Sequence, residues 1–80
     1  MVSVVVRLYA TLGRYRPDVA PGQPFRVEVE YGATVSGLLA CIGIPEQAAH
    51  LAFVNGVQRG PDHSLCDGDT VGLVPPIAGG

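Results

Sequence analysis

Hydrophobic residues alternate with others near the start of the chain. Val2, Val4, Val6 and Leu8 fall on one side of an extended backbone, and Ser3, Val5, Arg7 and Tyr9 on the other. β-Branched residues at period two predict a strand. Its second face is mixed, which suits a strand inside a sheet with one face partly solvated. The alternation is cleanest where Phe25, Val27, Val29 and Tyr31 interleave with Arg26, Glu28 and Glu30, and Gly32 ends it. Between the two strands, residues 10–15 fit a helical turn or two. Pro17, Pro21, Gly22 and Pro24 then punctuate an irregular stretch. Loops of this length often contact partners. The favoured reading here is a solvated loop anchored by Tyr15.

The period then changes. Val35, Leu38, Leu39 and Ile42 stand at i, i+3, i+4 and i+7, one stripe of a helix. Thr34 suits the N-cap, Gly43 the left-handed position after the helix, and Pro45 blocks continuation. Gly37 within the helix costs about 1 kcal/mol against alanine and is expected to let the helix sit close on a sheet. Residues 45–50 are expected to form a short second helix with Pro45 at its first position. Residues 51–54 read as a strand, with Phe53 assigned to the core. Asn55-Gly56 is a hairpin signal, because both residues tolerate positive φ in a type I′ turn. Residues 57–59 return briefly, Asp67-Gly68-Asp69 turns, and residues 70–74 form the last strand.

One helix of about nine residues can cover one face of a four- or five-stranded sheet. The first hairpin is antiparallel, and a right-handed crossover through the helix returns the next strand to the same sheet. The element order predicts an α+β chain with a β-grasp, or ubiquitin-like, roll: a mixed four- to five-stranded sheet covered by one main helix. Residues 1–74 form that domain, and residues 75–80 an extended tail.

Charge and composition remove several function classes. The net charge is −2, with five arginines and no lysine, so a dense basic patch for nucleic acid is not expected. No apolar run approaches the roughly 18–20 residues that span a bilayer, and no membrane association is expected. Met1-Val2-Ser3-Val4 carries no basic segment, so the expected location is cytoplasmic rather than secreted. Cys41 and Cys66 are too few for a disulfide scaffold or a four-cysteine cluster, and are expected to be reduced and buried. His50 and His63 lack metal-ligand spacing, so no metal site is expected. Asp62, Asp67 and Asp69 read as turn residues. The glycines never form a phosphate-cradling loop.

The remaining candidate chemistry lies in Val74-Pro75-Pro76-Ile77-Ala78-Gly79-Gly80. Two prolines stop the final strand and hold the chain extended. Six residues at roughly 3.3–3.6 Å each reach about 20 Å. Gly79 and Gly80 carry no side chains, so such a tail can enter a narrow channel and present the Gly80 carboxylate to another enzyme. The plainer reading is a frayed end with no role.

These segments together resemble the ThiS/MoaD-like ubiquitin-fold sulfur carriers over nearly the whole chain. The resemblance rests on Val4-Val5-Val6-Arg7-Leu8-Tyr9-Ala10-Thr11-Leu12 and Gly32-Ala33-Thr34-Val35-Ser36-Gly37-Leu38-Leu39. Val54-Asn55-Gly56, Leu65-Cys66-Asp67-Gly68-Asp69-Thr70-Val71 and the tail follow in order. Length and the Pro-Pro-x-Ala-Gly-Gly ending look more like the molybdopterin synthase small subunit than the shorter thiazole-pathway carrier. One departure is Leu73-Val74, where family members often have aromatic residues.

The resemblance implies that an E1-like adenylating enzyme activates the Gly80 carboxylate with ATP and Mg. A sulfur-donor protein then displaces AMP, leaving a thiocarboxylate. The tail inserts, through Gly79, into the molybdopterin synthase large subunit, where sulfur passes to a pterin precursor. The chain would be a sulfur-donating, non-catalytic subunit with no stably bound cofactor. Its partner-binding residues are expected to be Tyr9, Leu73, Val74, Pro75, Pro76, Ile77 and Ala78. Three alternatives stay open: a carrier for another pathway such as thiamine thiazole synthesis, a protein modifier joined through Gly80 to lysines, and a non-covalent interaction module.

Overall fold

The computed structural model describes residues 1–20, 22–49 and 51–75. Val2, Val4, Val6 and Leu8 are buried and the residues between them are not, so the predicted alternation is realised in β1 (Val2–Leu8). The second alternating run forms β2 (Phe25–Val29), antiparallel to β1 with Val4 opposite Val27. The helical stripe forms α1 (Val35–Ile42), which buries Val35, Leu38 and Leu39. Three further strands follow: β3 (Leu51–Val54), β4 (Val57–Arg59) and β5 (Thr70–Val74).

The five strands make one mixed sheet in the order β2-β1-β5-β3-β4. β5 lies parallel to β1, whereas β3 is antiparallel to both β4 and β5. The last strand therefore fills the gap between the first hairpin and the strand that follows the helix. This is the β-grasp arrangement, and it places β5 at the centre of the sheet. Val71 and Leu73 of β5 are fully buried with Val4, Val6 and Leu38.

The caps act as expected. The Thr34 Oγ1 accepts from the Gly37 N–H at 3.2 Å, and Gly43 takes φ 93° while donating its N–H to the Leu39 carbonyl. Asn55 and Gly56 both have positive φ, 53° and 83°, as the tight β3–β4 hairpin requires. Residues Ala10–Tyr15 form a 3-10 helix whose Leu12 closes one end of the core, with Tyr15 packed against it.

Three expectations are corrected. Gly37 is exposed, and a Cβ there would meet only Ala33 and Thr34 at 3.8 Å, so no close approach to the sheet requires it. The second helix is a 3-10 turn, Glu46–Ala48, with Pro45 capping it from outside rather than starting it. Cys41 and Cys66 are both free and both exposed. Among the described residues no helix is long and apolar enough to cross a membrane.

Candidate functional site

The C-terminal end of β5 carries the segment singled out by sequence. A strand shows alternate residues to opposite faces. With Val71 and Leu73 in the core, Thr70, Gly72 and Val74 must face the other side of the sheet. Leu73 is 0% exposed, so it is a core residue and not part of a partner surface. Val74 and Pro75 are half-buried. Pro76, Ile77, Ala78, Gly79 and Gly80 lie outside the described residues, as do Pro21 and His50.

The outer face around Gly72 is apolar. Tyr9 follows β1 on the same side as Val5 and Arg7, is 40% exposed, and donates its N–H to the Leu73 carbonyl at 3.1 Å. A Cβ on Gly72 would stand 3.2 Å from Cε2 of Tyr9, so the phenol ring lies against the bare backbone of that glycine. On the other side of β5, Phe53 stands opposite Gly72 and Leu51 opposite Val74. Both belong to the outward set of β3, because Ala52 and Val54 are the buried pair. Phe53 is therefore a half-buried residue of the outer face, not a core residue as expected.

The result is an apolar platform of Tyr9, Phe53, Leu51 and Val74 around a glycine, at the C-terminal end of β5. Arg7, opposite Gly72 on β1, is exposed at its margin. The chain lacks aromatic residues at 73 and 74, but Tyr9 and Phe53 supply aromatic surface from the two neighbouring strands. Of the residues expected from sequence to bind a partner, Tyr9 and Val74 lie on this outer face, and Gly72, Phe53 and Leu51 share it without being singled out by sequence. The parity of β5 alone identifies Gly72 as an outward position.

Ala10, immediately after Tyr9, takes φ 52°. A non-glycine residue pays for the left-handed region, and here the turn lets the chain leave β1 at once for the 3-10 helix. Tyr9 is thereby held at the end of the strand while Leu12 folds inward.

The other end of β5 is built differently. The Asp69 carboxylate accepts from the Cys66 N–H at 2.8 Å and from Asn55 Nδ2 at 2.9 Å. Asn55 in turn accepts from the Thr70 N–H at 3.0 Å. Asp67 accepts from the Ser3 N–H at 2.8 Å. These aspartates are turn residues, as read from the sequence. His63 is likewise a turn residue, its N–H donating to the Gly60 carbonyl. Among the described residues, no three His, Cys, Asp or Glu gather as a metal site. The Arg16 guanidinium reaches Asp18 at 3.1 Å, holding that carboxyl below its ordinary pKa, and stacks 4.4 Å over Phe25 of β2. This loop lies at the β2 side of the sheet, not on the platform.

A family model described as Mut7-C ubiquitin matches residues 1–78. No functionally curated protein matches the chain significantly. Among solved structures, it is similar to a Pyrococcus furiosus protein described as a putative molybdopterin converting factor, subunit 1. The identity is 25%, the match covers 96% of this chain and 100% of that one, and the TM-score is 0.73. A Haloferax volcanii protein, HVO 2177, is 25% identical over 99% of this chain and 87% of its own, with a TM-score of 0.76. Small archaeal modifier protein 1 from Methanosarcina acetivorans is 22% identical over 100% and 98%, with a TM-score of 0.67, a likeness of fold alone.

Proposed function

The chain belongs to the Mut7-C ubiquitin family, and on that premise we propose that it is a sulfur carrier whose working end is residues 75–80. The observation that carries this reading is where the central strand ends. The central strand ends at Val74, beside a partly exposed apolar face of Tyr9, Phe53 and Leu51. A partner that seats on the platform receives whatever the Pro-Pro-Ile-Ala-Gly-Gly segment presents. Similarity to the Pyrococcus protein supports the same reading.

In this reading the Gly80 carboxylate attacks the α-phosphorus of ATP on an E1-like enzyme, with Mg²⁺ neutralising the phosphates and pyrophosphate leaving. A carboxylate is a poor acyl donor, and the acyl adenylate has AMP as a good leaving group. A sulfide equivalent from a donor protein displaces AMP and leaves a thiocarboxylate. ATP and Mg²⁺ belong to the activating enzyme, and this chain supplies only the carried atom and the docking face. Delivery to a pterin precursor, with this chain as the small subunit of a molybdopterin synthase, is the pathway we favour. A cytoplasmic setting fits these partners.

The experiment is an intact-mass measurement of the native protein before and after incubation with an activating enzyme, ATP and a sulfur source. The expected product ends at Gly80 and exchanges one oxygen for sulfur. A variant with one alanine added after Gly80 moves the carboxylate by about 3.5 Å, beyond the roughly 3–3.5 Å reacting distance, and stays unmodified. A native chain that continues past Gly80 overturns the reading, as does sulfur on a cysteine. Conjugates to lysines of other proteins replace it with protein modification.

A further inference from the structure

We propose that the chain associates with a second copy of itself through the outer edge of β2, in one register centred on Val27. β2 and β4 are the two edges of the sheet. β4 has three residues, whereas β2 has five and is regular. Among the described residues, no backbone group pairs on the side of β2 away from β1.

Which β2 groups face outward follows from β1. The Val5 N–H donates to the Asp69 carbonyl, and the Ser3 carbonyl accepts from the Gly68 N–H, so both residues turn their backbone groups away from β2. They stand opposite Arg26 and Glu28. In an antiparallel pair such residues face apart together, so the N–H and C=O of Arg26 and Glu28 point to the open edge. Two antiparallel copies related by a two-fold axis at Val27 bring Arg26 of each opposite Glu28 of the other. Each such pair exchanges two backbone hydrogen bonds, four in all. Both side chains are exposed on the same face, so each pair also joins opposite charges. On the helix side, Phe25 comes opposite Val29, and Val27 opposite itself. Phe25 and Val27 are only partly buried in one copy, and pairing covers them further.

The neighbouring registers are rejected by the same residues. Centring on Arg26 places two arginines face to face and sets Pro24, which has no N–H, opposite Glu28. Centring on Glu28 places two glutamates face to face and sets Arg26 opposite Glu30, beyond the end of β2, so those pairs lose the strand's backbone ladder. Charged edges usually discourage pairing; here the two charges are complementary to each other in one alignment. The contact is isologous and closes at two copies. It leaves β5, β3 and the platform free, so a dimer would carry two tails.

The test is sedimentation of the protein across a concentration series, with amide hydrogen exchange. A reversible dimer is expected, with the Arg26 and Glu28 amides gaining protection as concentration rises. Arg26→Glu alone and Glu28→Arg alone each turn both attractions into repulsions and weaken association about tenfold or more. Mixing the two single variants restores a dimer, because each copy then meets its opposite, and the double swap R26E/E28R restores it in one chain. Circular dichroism should match throughout, since both side chains are exposed. A wild type that stays monomeric at millimolar concentration overturns the proposal. So does a dimer that ignores these charges or is not recovered on mixing.

Discussion

The two ends of β5 are held by different chemistry. At its start, Asp67, Asp69 and Asn55 tie two turns to neighbouring backbone through directional hydrogen bonds of 2.8–3.0 Å. At its finish, Tyr9, Phe53, Leu51 and Val74 offer apolar area around a glycine, and the backbone bond from Tyr9 to Leu73 fixes only the strand. Polar ties satisfy particular donors and so define one geometry. Apolar area is not directional and is useful to whichever surface covers it. The first end is tied to one geometry, and the second leaves apolar area partly uncovered.

The sharpest way to break this comparison uses adjacent residues on β5. Leu73→Ala empties a fully buried site and should cost about 2–5 kcal/mol, read by urea unfolding. That is a large share of the roughly 4–12 kcal/mol expected for a chain of this size. Val74→Asp should change unfolding by less than about 1 kcal/mol while abolishing capture by a partner that accepts the tail. If Val74→Asp unfolds the protein, or leaves capture intact, the outer face is not the docking face.

A smaller effect is expected at the other end. Asp69→Ala removes the acceptor for the Cys66 N–H and for Asn55 Nδ2, and should cost about 1–3 kcal/mol. Partner affinity should not change, because the platform is untouched. Loss of affinity in a folded Asp69→Ala protein would mean that the two ends are coupled through β5.

Much of this was legible in the sequence, and the reasons for the rest are specific. β1 and β2 alternate apolar with polar residues, so their faces were readable. In Leu51-Ala52-Phe53-Val54 every residue is apolar, and nothing local tells which pair faces the core. The sequence assigns Phe53 to the core, yet Ala52 and Val54 are the buried ones. Leu73 is expected from sequence on the partner-facing side with Tyr9 and Val74, whereas the parity it shares with Val71 places it inside. Cys41 was expected to be buried from its residue type, although it lies off the stripe of Val35, Leu38, Leu39 and Ile42. The order β2-β1-β5-β3-β4 brings Tyr9 and Phe53 together across β5. That juxtaposition depends on strands far apart in the chain, and no local pattern encodes it.

The finest distinction rests on Gly72. Alanine suits a strand better than glycine and restricts the unfolded chain, which alone favours it by about 0.4–1 kcal/mol. Its Cβ would stand 3.2 Å from the Tyr9 ring, closer than such contacts normally allow. The ring is partly exposed and can swing aside, so that strain is relieved by moving Tyr9 rather than the backbone. Gly72→Ala should therefore unfold within about 1 kcal/mol of the wild type while lifting the phenol off the sheet. Nuclear Overhauser contacts between the Tyr9 ring and residue 72 would report the displacement. If the flat ring is the aromatic half of the platform, affinity for a tail-accepting partner should fall about tenfold, a loss of about 1.4 kcal/mol. A Tyr9→Leu variant in the same background should then cost nothing further, since the ring has already left. If Gly72→Ala binds as tightly as wild type with its ring displaced, Phe53, Leu51 and Val74 suffice for docking. The glycine would then serve strand packing alone.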